Sequence, residues 1–471
     1  MTKRLLGILL AIIALFTISG CHSTSDNPNE MSERRKLFEE DFAFESLKGT
    51  ETEVSVLYIN SVNTGGPGYP DVTLPQSKES LMSSGSGVEG VSQYFFTKSL
   101  YNYNVKNNNI RIRYDDWSWA DTLTQKLTAA FNSGVIPDVI IGETQVPTYA
   151  KNGLLEPFPE ELAAWVRANI IPAAYQAMEY DGKIYGCAIQ PSLTTLIWNK
   201  TLLRTAGVDE KYIDRAPATW EEFIEVCKTV KAAGRGKYYP GGLYCGDDLG
   251  GYLRSGAFLY SNGGGYMSEN GAPAFDTQAN RETLEYFRSV ASYSTRGMLS
   301  TTENSVYSSF NTGKLAYVID GSWRIKQSID LGIDVGYGTL PTQDGSASTN
   351  VIMGAVYYCI PKAATHKSEG FKVIESMLTD EIQYVLGKYD YIPIVSKNVG
   401  VREDYIAAAP NQAKIFTYLQ NDKNISLPSF NKNNSSIYAK MGEAIKKSVT
   451  TTEDIKTLLA TAQSEAEKLL R

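Results

Sequence analysis

Alternation of apolar and polar positions is the first order in the chain. Glu53 to Asn60 reads Glu-Val-Ser-Val-Leu-Tyr-Ile-Asn, β-branched and alternating, and predicts a strand. A helix is expected over Val91–Val105, then a strand over Ile110–Tyr114. From Ala120 to Phe131 the apolar residues Leu123, Leu127, Ala130 and Phe131 fall at helical spacing, and Gly134 follows as a C-terminal stop. Pro137 to Ile141 is the next strand. Strand, helix, strand, helix, strand in this order predicts an α/β protein with a parallel sheet covered by helices on both faces. The stretch Ser61–Gly90 interrupts the pattern with Gly65-Gly66-Pro67-Gly68 and Ser83-Ser84-Gly85-Ser86-Gly87, and reads as a long loop.

The pattern continues beyond residue 180. Asp181-Gly182 between Tyr180 and Lys183 predicts a tight hairpin, because both turn positions need positive φ. Leu196–Asn199 reads as the end of a strand and Leu315–Ile319 as an apolar strand followed by a helix over Arg324–Ile329. Thr219 and Glu222 form a capping box at the head of a helix whose buried stripe is Trp220, Phe223, Cys227 and Val230. Further helices are expected near Thr277–Ala291, around Phe371, Ile374 and Met377/Leu378, and at the C-terminus on Ile455, Leu458, Leu459, Ala462, Ala466 and Leu469.

The N-terminus breaks this style. Lys3 and Arg4 precede an apolar run from Leu5 to Ile18 that is short for a transmembrane helix and has the form of a signal peptide. It ends in Ile18-Ser19-Gly20-Cys21, which resembles a bacterial lipobox, so residues 1–20 are expected to be removed and Cys21 to carry acyl chains. Residues 21–50, polar at first, read as a tether. This places the mature protein in the bacterial cell envelope, exported and held to the membrane through its lipid alone. Of the remaining cysteines, Cys227 falls on a helix stripe, while Cys187, Cys245 and Cys359 leave room for one disulfide of undetermined pairing.

Across 471 residues, the net charge of −7 has the wrong sign for a protein that grips a nucleic-acid backbone over its whole surface. Two histidines, His22 and His366, leave little for a His-rich zinc site or a Ser-His-Asp triad, and no metal or cofactor is expected. The chain has no GxSxG, HExxH, EF-hand or GxxxxGK[ST] motif. Gly263-Gly264-Gly265 fails the dinucleotide spacing, since Ser268 stands at the third position, and reads as a turn. A pair of catalytic carboxylates need not be adjacent in sequence, so a lipid-anchored glycoside hydrolase stays open as the alternative.

Several segments, taken in order, carry a resemblance. They are Ser133-Gly134-Val135-Ile136-Pro137-Asp138-Val139, Lys151-Asn152-Gly153-Leu154-Leu155-Glu156-Pro157, and Asp181-Gly182-Lys183-Ile184-Tyr185-Gly186 through to Ile197-Trp198-Asn199-Lys200. Pro217-Ala218-Thr219-Trp220-Glu221-Glu222-Phe223, Asn262-Gly263-Gly264, Phe310-Asn311-Thr312-Gly313-Lys314-Leu315-Ala316 and Asp320-Gly321-Ser322-Trp323 follow. Together they resemble the extracellular solute-binding proteins of family 1, maltose-binding-protein-like sugar-binding proteins that serve ABC importers. Departures are Cys187-Ala188 where the family has proline, Trp198 for the usual tyrosine, and the long Ser61–Gly90 stretch.

The resemblance implies a two-lobed α/β fold of class II, each lobe a mostly parallel sheet flanked by helices, with a ligand cleft between. Lobe one is expected to hold 51–188 and 354–393, lobe two 189–353 and 394–471. The implied partners are a carbohydrate and the permease subunits of an ABC importer, with the protein a monomer and no enzyme; a peptide or polyamine ligand on the same fold is a further alternative. Ligands of open α/β sheets bind at strand carboxyl ends. Those ends offer Asn60, Ser61, Glu143, Gln145, Asp320 and Trp323, carboxylates, amides and an aromatic that suit sugar hydroxyls and ring faces. Trp117 and Trp119 lie just past Tyr114, and the resemblance adds Ser192, Asp248 and Tyr252. Trp198 and Trp220 are expected in the core.

Overall fold

The computed structural model describes residues 45–470 apart from 58–95, 97, 116, 118–119, 143–145, 192, 243–248, 269–270, 295–302, 347–349, 352–354, 390–392, 421–424 and 427–433. The expected leader, Cys21, the 61–90 loop and the expected crossing at 353–354 all lie outside the described residues.

Strand β1 (Thr52–Leu57) pairs in parallel with β2 (Ile110–Asp115), from Thr52 opposite Ile110 to Leu57 opposite Asp115. Helix α1 (Ala120–Ser133) crosses back and ends at Gly134, whose φ of +72° only glycine adopts cheaply. It delivers β3 (Ile140–Gly142), whose leading residue Val139 bridges to β1 in parallel through Leu57 N to Val139 O at 2.8 Å and Val139 N to Ser55 O at 2.9 Å. A two-residue strand, β4 (Leu155–Glu156), and helix α2 (Glu160–Asn169) follow. On the far side of β3 lies β10 (Val356–Pro361), antiparallel to β3 and to β5 (Cys187–Gln190). The sheet is therefore mixed. Its first three strands are joined by crossovers and run parallel; β10 returns from the second half of the fold and enters from the opposite end.

The second sheet has the order β9-β6-β8-β7, built from β6 (Thr194–Asn199), β7 (Tyr239–Gly242), β8 (Leu315–Gly321) and β9 (Val335–Gly338). Here β6 is antiparallel to both β8 and β9, while β7 and β8 run parallel. All residues of β6 and β8 are buried, as in strands covered on both faces. Leu196, Trp198, Tyr317 and Ile319 turn to one face. Helices α3 (Trp220–Gly234), α4 (Leu249–Ser261), α5 (Gln278–Ala291), α11 (Asn434–Thr450) and α12 (Ile455–Lys468) cover that face and form the second core. Gly336 of β9 lies flat on Trp198; a Cβ there would stand 2.0 Å from the indole. Ile197, Val318 and Tyr337 turn to the other face, where α6 (Glu303–Asn311) and α7 (Trp323–Asp330) pack, and this layer is continuous with the first core.

The chain just beyond residue 393, expected in lobe two, packs against elements of the first sheet before it reaches α11. Ile394, Val395, Val399, Tyr405, Ile415 and Phe416 belong to the first core, with Ile171 N donating to Val395 O and Gly400 closed against the Phe416 ring. The reason is packing: α8 (Lys367–Leu378) and α9 (Asp380–Tyr389) leave an apolar flank that the short helices after 396 cover before the chain reaches α11. Helix α10 (Pro410–Leu419) then touches the second sheet, where Tyr337 Oη donates to Asn411 Oδ1 at 2.8 Å and Lys414 Nζ donates to Tyr337 O at 2.9 Å.

Cys187, Cys227 and Cys359 are free and buried. Cys187 stands opposite Tyr358, so its side chain and that of Cys359 leave the sheet on opposite faces, and neighbouring strands do not join them. Cys245 lies outside the described residues. Among the described residues no helix is long and apolar enough to cross a membrane.

Candidate ligand site

The parallel strands β1, β2 and β3 end at one edge of the first sheet, at Leu57, Asp115 and Gly142. Because β5 and β3 both run against β10, β5 also ends at that edge. The residues that follow these four ends are the ones expected to meet ligand: Asn60 and Ser61, Trp117 and Trp119, Glu143 and Gln145, and Ser192. Of these, Trp117 is described, half-buried against the first core; the others lie outside the described residues. The chain leaves β5 through Pro191 and reaches Leu193, whose carbonyl accepts Ser322 N at 2.9 Å. Ser322 follows the end of β8. The segment that leaves β5 is thus tied to the end of β8 at the seam between the two sheets.

At that seam β8 gives way to α7, and Trp323 is the first residue of the helix, its side chain outside the described residues. Asp320 differs from the expected ligand contact. Its side chain is only 2% exposed, and Oδ1 accepts Arg254 Nε at 2.9 Å, Arg254 Nη2 at 2.7 Å and Gly321 N at 2.7 Å. Arg324 Nε stands 3.4 Å from Oδ2, and its guanidinium lies 4.4 Å from the centre of the Tyr307 ring. Tyr307 Oη in turn donates to Arg324 O at 2.6 Å and meets Ser328 Oγ at 2.8 Å. A carboxylate taken this far from water needs such partners, and its two arginines come from α4 and α7, with Tyr307 of α6 behind Arg324. Arg254 lies on α4, two residues after Tyr252, whose backbone is helical and whose side chain lies outside the described residues. Asp248 also lies outside them. Arg254 and Tyr307 carry no sequence signal of their own; only the buried Asp320 within an apolar strand hinted at a cation opposite.

A sequence profile of the bacterial extracellular solute-binding protein family matches residues 85–384. The chain belongs to that family. It is 26% identical over 311 residues to the maltotriose-binding protein of Pyrococcus abyssi, an alignment covering 63% of this chain and 64% of that protein. Among solved structures, the cyclic α-maltosyl-1,6-maltose binding protein of Arthrobacter globiformis matches with a TM-score of 0.68 at 18% identity, over 89% of this chain and 99% of that one. An ABC substrate-binding protein of Listeria monocytogenes in complex with cycloalternan matches with a TM-score of 0.68 at 17% identity, over 89% and 99%. The two-lobed α/β fold expected from the sequence is the fold of these binding proteins.

Most of the family-like segments turn out to be scaffold in this solute-binding protein. Thr219 Oγ1 accepts Glu222 N at 3.1 Å, while Glu222 Oε2 accepts Ala218 N at 2.6 Å, one residue before the usual partner of a capping box. The fork of Arg215 on Glu222, together with that backbone donor and against the opposing effect of burial, holds the Glu222 carboxyl down at about 2. Trp220 stacks on Tyr286 with ring centres 4.4 Å apart and donates to Pro341 O; Trp198 is buried and donates to Ile213 O. Both tryptophans are core, as expected. The three glycines form a turn: Gly263 has a φ of +78°, and a Cβ on Gly264 would fall 2.0 Å from Asn280 Oδ1, which accepts Gly265 N. Among the described residues no group of three acidic, His or Cys side chains is placed to hold a metal.

Proposed function

We propose that this protein captures a carbohydrate, a mono- or oligosaccharide, in the cleft at the seam and delivers it to the permease of an ABC importer without altering it chemically. What supports the reading is that β1, β2, β3 and β5 end at one edge of the first sheet, just before the expected ligand residues in sequence, and that the segment leaving β5 bonds to Ser322 at the end of β8. The relatives add weight, since proteins named for binding maltotriose, cyclic maltosyl-maltose and maltooligosaccharides share its family or fold. Asn60, Ser61, Glu143, Gln145, Ser192 and Asp248 would bond hydroxyls, and Trp117, Trp119, Tyr252 and Trp323 would pack on ring faces. Ligand touching both lobes selects a closed form, which the permease reads. The protein acts as a monomer held to the bacterial membrane by acyl chains on Cys21.

A thermal-shift series with maltose, maltotriose and cyclic maltosaccharides tests capture. A sugar at 100 times its dissociation constant adds about 2.7 kcal/mol of stability; no shift with any saccharide, or the release of new reducing ends, refutes the reading. The anchor has its own test. Cys21→Ser should abolish incorporation of a fatty-acid analogue, and undiminished labelling would show that Cys21 is not the acylated residue.

A further inference from the structure

We propose that Arg254 and Asp320 are positioning residues for the cleft, holding together the two second-lobe elements that carry Tyr252 and Trp323 without touching the ligand themselves. This rests on the carbohydrate-capture reading above. The strand β8 and helix α4 are 66 residues apart in sequence at this contact, and the pair is almost fully buried, with side-chain exposures of 4% and 2%. Arg254 Nε and Nη2 both donate to one oxygen, Asp320 Oδ1, which also accepts the N–H of Gly321. The bond to Gly321 fixes the peptide that leads into Ser322 and Trp323. Ser322 is held from the other side by Leu193, through Ser322 N to Leu193 O at 2.9 Å and Leu193 N to Ser322 Oγ at 3.4 Å. From below, Tyr307 secures the carbonyl of Arg324, the residue after Trp323.

Trp323 thus starts its helix from a turn gripped on three sides, by α4, by the segment joining the two sheets, and by α6. Of these grips, the Arg254 bond reaches the element with another expected ligand residue, since Tyr252 lies half a turn before it. An ion pair buried this deeply adds little stability compared with an apolar pair of the same shape, whereas its geometry specifies one arrangement. Orienting two aromatic residues before ligand arrives removes an ordering cost from binding.

The test uses the full chain in mild detergent, labelled with 5-fluorotryptophan, with the Trp323 resonance assigned through Trp323→Phe. In Arg254→Lys and Asp320→Asn, with no sugar present, the Trp323 resonance should shift or split while those of Trp198 and Trp220 in the second core stay in place. Binding of maltotriose should weaken about tenfold, the scale set by ordering one large side chain on binding rather than beforehand. An unchanged Trp323 resonance overturns the proposal, and so does an equal displacement of all three resonances with a fall in unfolding midpoint, which would make the pair ordinary core. If Asp320→Asn does not fold, Arg254→Lys, which keeps the charge and removes the fork, decides alone. A wild-type chain that ignores maltotriose counts against that sugar, and the resonance comparison still judges the positioning.

Discussion

Asp138 should be the most costly single carboxylate to alter in the first lobe. It is 5% exposed, yet four donors, with the His366 ring beside them, favour its ionised form. Oδ2 accepts Ser55 N at 3.0 Å, Ser55 Oγ at 2.8 Å and stands 3.4 Å from His366 Nδ1; Oδ1 accepts Thr365 N at 3.1 Å and His366 N at 2.9 Å. One side chain thereby ties β1, the start of β3 and the head of α8. Asp138→Asn keeps the shape but presents an amide NH2 to one of these two donor sets. Losing two charge-assisted bonds worth about 1.5–3 kcal/mol each, partly offset by relaxation, predicts a loss of about 3–5 kcal/mol. Burial pushes the Asp138 carboxyl up, but the N–H groups of Ser55 and His366 and the side chains of both outweigh it and the net shift is downward. A carboxyl lowered on folding contributes stability that is fully present above its unfolded value near 4 and is lost as pH falls through the folded value. The difference between wild type and Asp138→Asn should therefore be constant from pH 5 to 7 and shrink below about pH 4. Urea unfolding across that range, followed by hydrogen exchange of the β1 and β3 amides to isolate the first lobe, measures it. A difference under about 1 kcal/mol at pH 7, or one that does not shrink in acid, would refute the reasoning.

Three further outcomes are expected. Trp323→Ala should weaken saccharide binding about tenfold or more, the worth of one stacked ring by analogy with base stacking, and leave the unfolding midpoint of the empty protein nearly unchanged; normal binding by calorimetry places the site elsewhere. Glu222→Gln should cost about 1 kcal/mol at pH 7, discounted for the partial exposure of the Arg215 pair, and the cost should fade between about pH 4.5 and pH 2, as it must for a lowered carboxyl; a cost independent of pH in denaturant titrations argues that only the helix cap matters. Gly336→Ala should destabilise the second lobe by about 1–3 kcal/mol, because the new methyl overlaps the Trp198 indole; a neutral result would mean the indole can move.

Local chemistry made much of the fold legible. The turn at Asp181-Gly182 appears with φ values of 50° and 72°, α3 starts at Thr219, and the stripe of α12 is the one expected, because each depends on residues within one or two turns of each other. Strand direction was less legible: the pattern of β10 is the same whether it enters the sheet parallel or antiparallel, and only the path of the chain through the second lobe decides it. The packing partner of residues 394–419 was not legible for a similar reason, since they carry an apolar face that either core could have used.

The site shows where sequence reading stops. A carboxylate at the end of a buried strand, followed by Gly-Ser-Trp, has the composition of a ligand contact, and composition says nothing about which way the carboxylate turns. Its direction is set by Arg254, which sits in a helix whose other residues gave no reason to expect a charge inside. Buried ions find their partners through tertiary structure, so the same residue that looks like recognition in one dimension serves as support in three. In the proposed site that support would still bear on the ligand. By holding the Gly321 peptide, the pair would set where the backbone of Trp323 begins its helix, and a stacking ring is useful only if its backbone is already in place.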